Sequence, residues 1–285
     1  MSVRSYYQLT KPGIIYGNAL PLVAGFLLAA VWHINYVTFV AVLVGQSLII
    51  ASACVVNNYI DRSVDAKMKR TSERALVTGE IRVRNALVYA AVLGIAGAAI
   101  LVAGTNWLTL AVGLFGFFMY VVVYGIAKRR SPFGTIVGSV SGALPPVAGY
   151  VAVSNQLDMI AALLFLILTL WQMPHFYAIA MYRHTDYKEA GIPVLPLVRG
   201  MSTTKFRIMA YILAMTLAMV ALVTSNSLGY CYALAAAALG AWWFLHGLRT
   251  YRTLDDTTWA RQIFLKSLSV LLIASVIIPL GTLLP

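Results

Sequence analysis

The chain has 285 residues, of which 61% are hydrophobic and 11% are charged, and its formal net charge is +12. A typical soluble domain carries about a quarter charged residues. The composition therefore excludes an ordinary soluble protein and indicates a polytopic membrane protein, with the lipid bilayer as its surroundings.

Nine stretches are apolar and long enough to cross a bilayer as helices, which takes about 20 residues each. They are residues 14–31, 37–60, 85–104, 108–127, 133–153, 159–182, 206–225, 228–248 and 263–284. We therefore expect an all-α membrane protein with nine transmembrane helices. The opening residues show no small-residue cleavage site ahead of a mature domain, so we expect no cleavable signal.

The basic residues predict how these spans are oriented. All 21 Lys and Arg residues lie before span 1 or between spans 2 and 3, 4 and 5, 6 and 7, and 8 and 9, counting those at the span ends. The acid of the opposite loops is Asp158. Because loops rich in Lys and Arg stay in the cytoplasm, the N-terminus is predicted to be cytoplasmic and the C-terminus outside. This bias accounts for the net charge, so we expect no nucleic-acid partner.

Asn57, Asp61 and Asp65 stand four residues apart around the end of span 2. On a helix this spacing places the three side chains on one face. Acids at this spacing are often a solvated helix face, but like charges at i and i+4 repel, and the preceding residues are nearly all apolar. Acids at the mouth of a membrane helix indicate a functional site. The hard oxygen ligands predict Mg²⁺ and the phosphates that it carries.

Two halves of the chain share a pattern, in which a span opening with Gly-x-x-x-Gly precedes a span that ends in a polar, acidic loop. The glycines are Gly13 and Gly17 in span 1, and Gly134 and Gly138 in span 5, and we expect them to let helices pack closely. We interpret residues 1–285 as one domain, with parallel four-helix repeats at about 10–130 and 131–250 and a ninth helix at about 262–284. Membrane proteins commonly place a substrate site between such halves.

Asp186 follows span 6 as Asp61 and Asp65 follow span 2. It is either part of an ordinary surface ion pair or a fourth oxygen ligand facing the first three across a cavity. We expect the second role because of its position opposite the first motif. Gly191, Pro193 and Pro196 are expected to break any helix in the loop that follows.

These motifs carry a family resemblance. The stripe Asn57-x-x-x-Asp61-x-x-x-Asp65, paired with Asp186, resembles the UbiA superfamily of intramembrane prenyltransferases. Three further segments look like the haem O synthases of that superfamily: Thr10-Lys11-Pro12-Gly13, Trp171-Gln172-Met173-Pro174-His175-Phe176, and Asp186-Tyr187 through Pro196. The resemblance covers nearly the whole chain. In one respect the chain departs from many superfamily members, since Ala190 stands where they have a second acid of an Asp-x-x-x-Asp motif.

The resemblance implies a nine-helix bundle around a central cavity open to the cytoplasmic side of a bacterial inner membrane. It also implies transfer of a farnesyl group from farnesyl diphosphate to a vinyl group of haem B, with addition of water and release of diphosphate. Mg²⁺ is then the expected cofactor, held by Asn57, Asp61, Asp65 and Asp186. Haem-handling or terminal-oxidase assembly proteins are expected as partners.

Cleavage of an allylic diphosphate builds negative charge on the leaving group, which needs cations fixed in place beforehand. Arg70 and Arg74 offer planar forks to phosphate oxygens, and Lys128 and Arg129 lie on the same side. Alternatively, these four residues only reflect the membrane topology, because every cytoplasmic loop is rich in Lys and Arg. The allyl cation needs a cavity that excludes water. The aromatic candidates for the wall of that cavity are Tyr59, Tyr120, Tyr124, Phe176 and Tyr177.

His175 lies within span 6, next to a proline. An intramembrane histidine either hydrogen-bonds a neighbouring helix or, given the resemblance, ligates haem iron.

Other functions fit parts of this pattern. A UbiA-type enzyme that prenylates an aromatic quinone precursor would use the same acids with a smaller acceptor pocket. A transporter would need polar groups at mid-membrane, whereas the acids cluster at the cytoplasmic mouth. A non-catalytic assembly factor would have no need for a Mg²⁺-type stripe.

Overall fold

The computed structural model describes residues 2–225 and 228–284, and within these ranges the regular structure is helical throughout. Nine helical spans there are long and apolar enough to cross a membrane: Pro12–Ala30, Tyr36–Asp65, Val83–Gly104, Trp107–Arg130, Gly134–Ser154, Met159–Tyr182, Leu195–Ser225, Tyr230–Thr250 and Asp256–Leu283. Short helices Val3–Leu9 and His184–Glu189 precede spans 1 and 7. The prediction of an all-α protein with nine membrane helices is confirmed.

Several spans begin or end outside the predicted limits because polar residues continue the helix. Span 2 runs to Asp65, so the whole acidic stripe is helical. Span 9 begins at Asp256, where the Asp255 side chain caps the helix by accepting from two backbone amides. Pro196, expected to break a helix, instead lies in the first turn of span 7, where its missing N–H costs nothing. That span is interrupted at Gly200, whose φ is 81°.

Spans 4 and 5 are each broken in the middle. In span 4 the α-helices Trp107–Phe118 and Gly125–Arg130 are joined by a π-helical turn, Met119–Tyr124. Span 5 consists of Gly134–Gly142 and Leu144–Ser154. Such π turns insert extra backbone into a helix and are frequent at functional sites. The π turn of span 4 carries two tyrosines that line the central cavity described below.

One expectation about glycines is wrong. A Cβ added to Gly13 or Gly17 would meet no described atom within 4 Å, because these glycines line a cavity instead of a helix contact. In span 5 the expectation agrees with the packing, since a Cβ on Gly138 would lie 2.8 Å from the ring of Tyr124.

Spans 1 and 5 approach each other through two other glycines. A Cβ on Gly25 would lie 2.0 Å from the carbonyl oxygen of Pro146, and a Cβ on Gly149 would lie 2.0 Å from that of Leu22. Real Cβ atoms do not come so close to backbone oxygen. The two helices are therefore in direct backbone contact, as small residues allow in membranes.

The largest apolar core lies among spans 5 to 9. Trp243 and Trp259 are fully buried there, and the Trp259 indole donates to the Gly247 carbonyl at 3.0 Å. Spans 6 and 9 pack along this core, which holds the polar face of span 6 in position beside the cavity.

Candidate functional site

A central cavity of about 550 Å³ is enclosed by spans 1, 2, 4, 5, 6 and 9 together with the loops 66–82 and 183–194. This volume is within the usual range for small-molecule sites. The lining includes the predicted site residues Asn57, Asp61, Asp65, Arg70, Arg74, Lys128, Arg129 and His175. We call the end of the cavity that carries Lys11, Asp61 and Lys128 the basic end.

The stripe on span 2 forms one wall of the basic end. Asn57 and Asp65 are 2% and 5% exposed, and the Asp61 side chain is 13% exposed. Such burial is unusual for carboxylates unless they are paired. The helix thus supplies two carboxylates and one amide group to the cavity from consecutive turns.

Each carboxylate of the stripe is paired with a cation of the protein. Lys128 donates to the Asp61 carboxylate, and Nη2 of Arg129 lies 3.4 Å from the same group. Nη1 of Arg74 donates to Oδ2 of Asp65 at 2.6 Å. These ion pairs tie the end of span 2 to span 4 and to loop 66–82, and they hold three cations beside the stripe.

Lys11 belongs to this group, although no pattern of charges in the sequence had indicated a role for it in the site. Its ammonium donates to Oδ1 of Asn57 at 2.8 Å, from just before span 1. Burial in the cavity wall lowers the pKa of Lys11 to about 8. A signal was present in the sequence, since Lys11 stands in the motif Thr10-Lys11-Pro12-Gly13, at the mouth of span 1.

Asn57 has one further polar atom without a partner in the described part of the chain. Its Oδ1 accepts from Lys11 and, at 3.4 Å, from the Tyr120 hydroxyl, whereas its Nδ2 is buried and unpaired. A buried donor left unsatisfied costs about 1–3 kcal/mol. This unpaired amide nitrogen is suited to an acceptor oxygen supplied by a ligand.

Asp186, unlike the other predicted ligands, is not among the residues that line the cavity. Its carboxylate is 3.9 Å from Nη1 of Arg183, and the neighbouring residue Tyr187 is the one that lines the cavity. Burial raises the pKa of Tyr187. Among the described residues, no three His, Cys, Asp or Glu side chains form a ready metal cluster. That Asp186 shares a metal with Asp61 and Asp65 therefore stays a prediction.

The aromatic candidates divide into two sets. Tyr120, Tyr124 and Phe176 line the cavity, and the rings of Tyr120 and Tyr124 stack at 5.7 Å. Tyr59 instead is 38% exposed beside Arg62, and Tyr177 is buried in the apolar core. Sequence alone could not separate these sets, because the π turn and the packing of span 6 decide which rings face inward.

His175 faces the same cavity from span 6. Its ring stacks on Trp171 with 4.8 Å between centroids, and its Nδ1 lies 2.7 Å from Oγ of Ser267 on span 9. The arrangement combines a charged, polar end with an apolar, aromatic interior in which an imidazole is held in place.

Comparison with known sequences agrees with this architecture. The model of the UbiA prenyltransferase family matches residues 18–268. The protoheme IX farnesyltransferase of Yersinia enterocolitica is 50% identical over 269 residues, covering 94% of this chain and 91% of that protein. The enzyme of the same name from Pectobacterium atrosepticum is 48% identical over 285 residues, covering 99% of this chain and 96% of that protein.

Solved structures share the fold at low sequence identity. A digeranylgeranylglyceryl phosphate synthase superposes with a TM-score of 0.81 at 17% identity, covering 98% of both chains. A UbiA homolog from Archaeoglobus fulgidus bound to GPP and Mg²⁺ gives a TM-score of 0.71 at 18% identity, covering 96% of this chain and 99% of that one. The chain therefore belongs to the UbiA prenyltransferase family and, within it, to the protoheme IX farnesyltransferases.

Proposed function

We propose that this intramembrane prenyltransferase converts haem B to haem O. The farnesyl group of farnesyl diphosphate forms a carbon–carbon bond with a porphyrin vinyl group as its bond to diphosphate breaks, and water adds a hydroxyl group and releases one proton. The identity of about 50% to protoheme IX farnesyltransferases supports this reaction. The observation that carries the proposal is one cavity lined by both the paired acids and His175.

The donor set at the basic end fits Mg²⁺. Two carboxylates and an amide oxygen on one stripe are hard oxygen ligands, and all three residues line the cavity. Cations of the protein hold these oxygens, so metal binding requires Lys11, Lys128 and Arg74 to turn from the stripe toward the diphosphate. We propose that Asn57, Asp61, Asp65 and Asp186 hold the metal. When bound, Mg²⁺ supplies charge stabilisation to the leaving diphosphate. A structural neighbour bound to GPP and Mg²⁺ supports this choice of cofactor.

The protein's own cations bind and orient the diphosphate. Lys128, Arg129 and Arg74 already lie beside Asp61 and Asp65, so they are close to the proposed metal site and can turn to an anion when one arrives. We add Lys11 to this set because it lines the same end of the cavity. Arg70, which also lines the cavity, completes the proposed diphosphate site.

The stacked rings of Tyr120 and Tyr124 form the wall next to this site. Their π faces stabilise the developing allyl cation and exclude bulk water from it. The cation is thereby directed to the vinyl group. His175 lines the same cavity from span 6, and we propose that it binds the haem there.

We propose that the basic end faces the cytoplasm, with the N-terminus cytoplasmic and the C-terminus outside a bacterial inner membrane. The concentration of Lys and Arg at this end supports that orientation. We also propose that the single domain consists of parallel repeats at about 10–130 and 131–250 followed by a ninth helix. Haem-handling or terminal-oxidase assembly proteins are the proposed partners.

The test is a reaction with purified protein in detergent. We expect protein, haem B, farnesyl diphosphate and Mg²⁺ together to yield a porphyrin heavier by one farnesyl and one hydroxyl group, measured by mass spectrometry. Omitting Mg²⁺ should abolish the product. Unmodified haem, together with prenylation of an aromatic quinone precursor offered as a competing acceptor, would contradict the proposal.

A further inference from the structure

Two ring nitrogens of span 6 lie within hydrogen-bond distance of Ser267 on span 9. The indole of Trp171 donates to the Ser267 carbonyl oxygen at 2.9 Å, and Nδ1 of His175 lies 2.7 Å from the Ser267 hydroxyl oxygen. Trp171 and His175 are one helical turn apart and their rings stack. Ser267 is fully buried, so the bond to His175 lies away from the open cavity.

The short contact between the Ser267 hydroxyl and a backbone carbonyl indicates which nitrogen of His175 carries hydrogen. The Ser267 hydroxyl oxygen is 2.5 Å from the carbonyl oxygen of Phe264, one turn earlier on the same helix. Two oxygens at this distance repel unless a proton lies between them, and a carbonyl brings none. A hydroxyl has one proton, so toward His175 it offers a lone pair. His175 therefore donates from Nδ1, and in the neutral ring Nε2 carries the lone pair.

The contacts of the ring leave Nε2 as the nitrogen available to a ligand in the cavity. Trp171 stacks on the imidazole, the ring of Phe264 lies 4.9 Å away, and Nδ1 is engaged by Ser267. His175 itself is partly exposed and lines the cavity. Because Nδ1 is turned toward Ser267, Nε2 is the ring nitrogen farther from span 9, and it is not among the buried unpaired polar atoms of the described residues.

We propose that Ser267 is a positioning residue, which holds His175 as the Nδ1–H tautomer so that Nε2 coordinates the iron of the haem substrate. This inference rests on the proposed function, because it needs haem in the cavity. Iron-ligating histidines generally donate their other N–H to an oxygen, which orients the ring and raises its basicity. Here the acceptor is a hydroxyl whose own proton goes to the Phe264 carbonyl.

The competing interpretation is that Ser267 only ties span 9 to span 6. A structural tie would affect folding and all substrates alike, whereas the positioning role predicts a selective effect on haem. Ser52 offers a matched control, since its buried hydroxyl donates to the Ala90 carbonyl and thereby joins spans 2 and 3. Ser52→Ala removes a buried interhelical hydrogen bond of the same kind without touching His175.

The tautomer is tested first, in substrate-free wild-type protein labelled with ¹⁵N-histidine in lipid bilayers. The resonances of His175 are assigned by their loss in His175→Gln. We expect a protonated Nδ1 and an unprotonated Nε2. A protonated Nε2 would overturn the inference, and this measurement needs neither a variant of Ser267 nor any turnover. The proposed function would be unaffected by that result.

Haem binding is tested second, by titrating ferric haem B into wild type, Ser267→Ala and Ser52→Ala and recording the Soret band. We expect an imidazole-ligated spectrum in wild type and Ser52→Ala, and about a tenfold to hundredfold loss of haem affinity in Ser267→Ala. KM for haem should rise in Ser267→Ala while KM for farnesyl diphosphate stays unchanged. Equal effects on both substrates, or a wild-type spectrum in His175→Ala, would overturn the inference.

Discussion

Lys11 and Asn57 are 46 residues apart in the chain, yet the Lys11 ammonium donates to the Asn57 amide oxygen at 2.8 Å. This bond joins the mouth of span 1 to the acidic stripe of span 2. The oxygen of Asn57 is thereby engaged by a cation, while its buried Nδ2 has no partner in the described part of the chain. The pair presents one positive charge and one free donor at the basic end, a combination suited to an anionic ligand.

Lys11→Gln should weaken farnesyl diphosphate binding, because it removes a cation held inside the cavity wall. We expect KM for farnesyl diphosphate to rise by about tenfold to a hundredfold, in line with the roughly 1.5–3 kcal/mol of a charged hydrogen bond, with KM for haem unchanged. Steady-state kinetics in detergent would measure both. The matched control is Lys67→Gln, which removes an exposed lysine near the same end. Equal KM values in Lys11→Gln and Lys67→Gln would contradict this role.

Asp61→Asn and Asp65→Asn should each abolish measurable turnover, with losses of at least about a hundredfold. Each change removes a carboxylate proposed to hold the metal and leaves a cation, Lys128 or Arg74, without its partner. Product formation is measured by mass spectrometry, and membrane insertion by yield in the membrane fraction. Glu73→Gln, an exposed acid of loop 66–82, is the control for charge. Normal turnover in either Asp variant would refute the assignment.

Tyr124→Leu should uncouple diphosphate cleavage from haem modification. Loss of a ring from the stacked pair admits water to the allyl cation, so farnesol should form at the expense of the porphyrin product. The ratio of farnesol to haem O, measured by chromatography, is expected to rise severalfold. Tyr124→Phe keeps the ring and should retain the wild-type ratio. A wild-type ratio in Tyr124→Leu would show that this ring does not shield the allyl cation from water.

Gly25→Ala should destabilise the bundle, because its Cβ would lie 2.0 Å from the Pro146 carbonyl oxygen. Overpacking typically costs about 1–3 kcal/mol, and a backbone neighbour has little room to move. Thermal unfolding in detergent should show a lower Tm than wild type. Gly17→Ala places its Cβ in open space and should leave Tm unchanged. Equal Tm values for the two variants would mean that spans 1 and 5 separate easily.

The membrane spans and the polar stripe of this protein can be predicted from local sequence. The nine spans are set by the length of apolar runs, and the polar stripe on span 2 by the spacing of Asn57, Asp61 and Asp65 along one helix. Each feature depends on residues within a few turns of one another. Hydropathy and helical periodicity are sufficient to predict them, as is the family resemblance that the motifs carry.

Only the tertiary structure decided which residues of different spans meet. The pairs Lys128 with Asp61 and His175 with Ser267 join residues 67 and 92 positions apart, and no periodicity reports such contacts. Packing also placed Gly25 at the contact between spans 1 and 5 and left Gly13 beside the cavity. The physical reason is that helix contacts depend on how whole helices rotate and tilt against one another, which is set by the combined packing of all the spans.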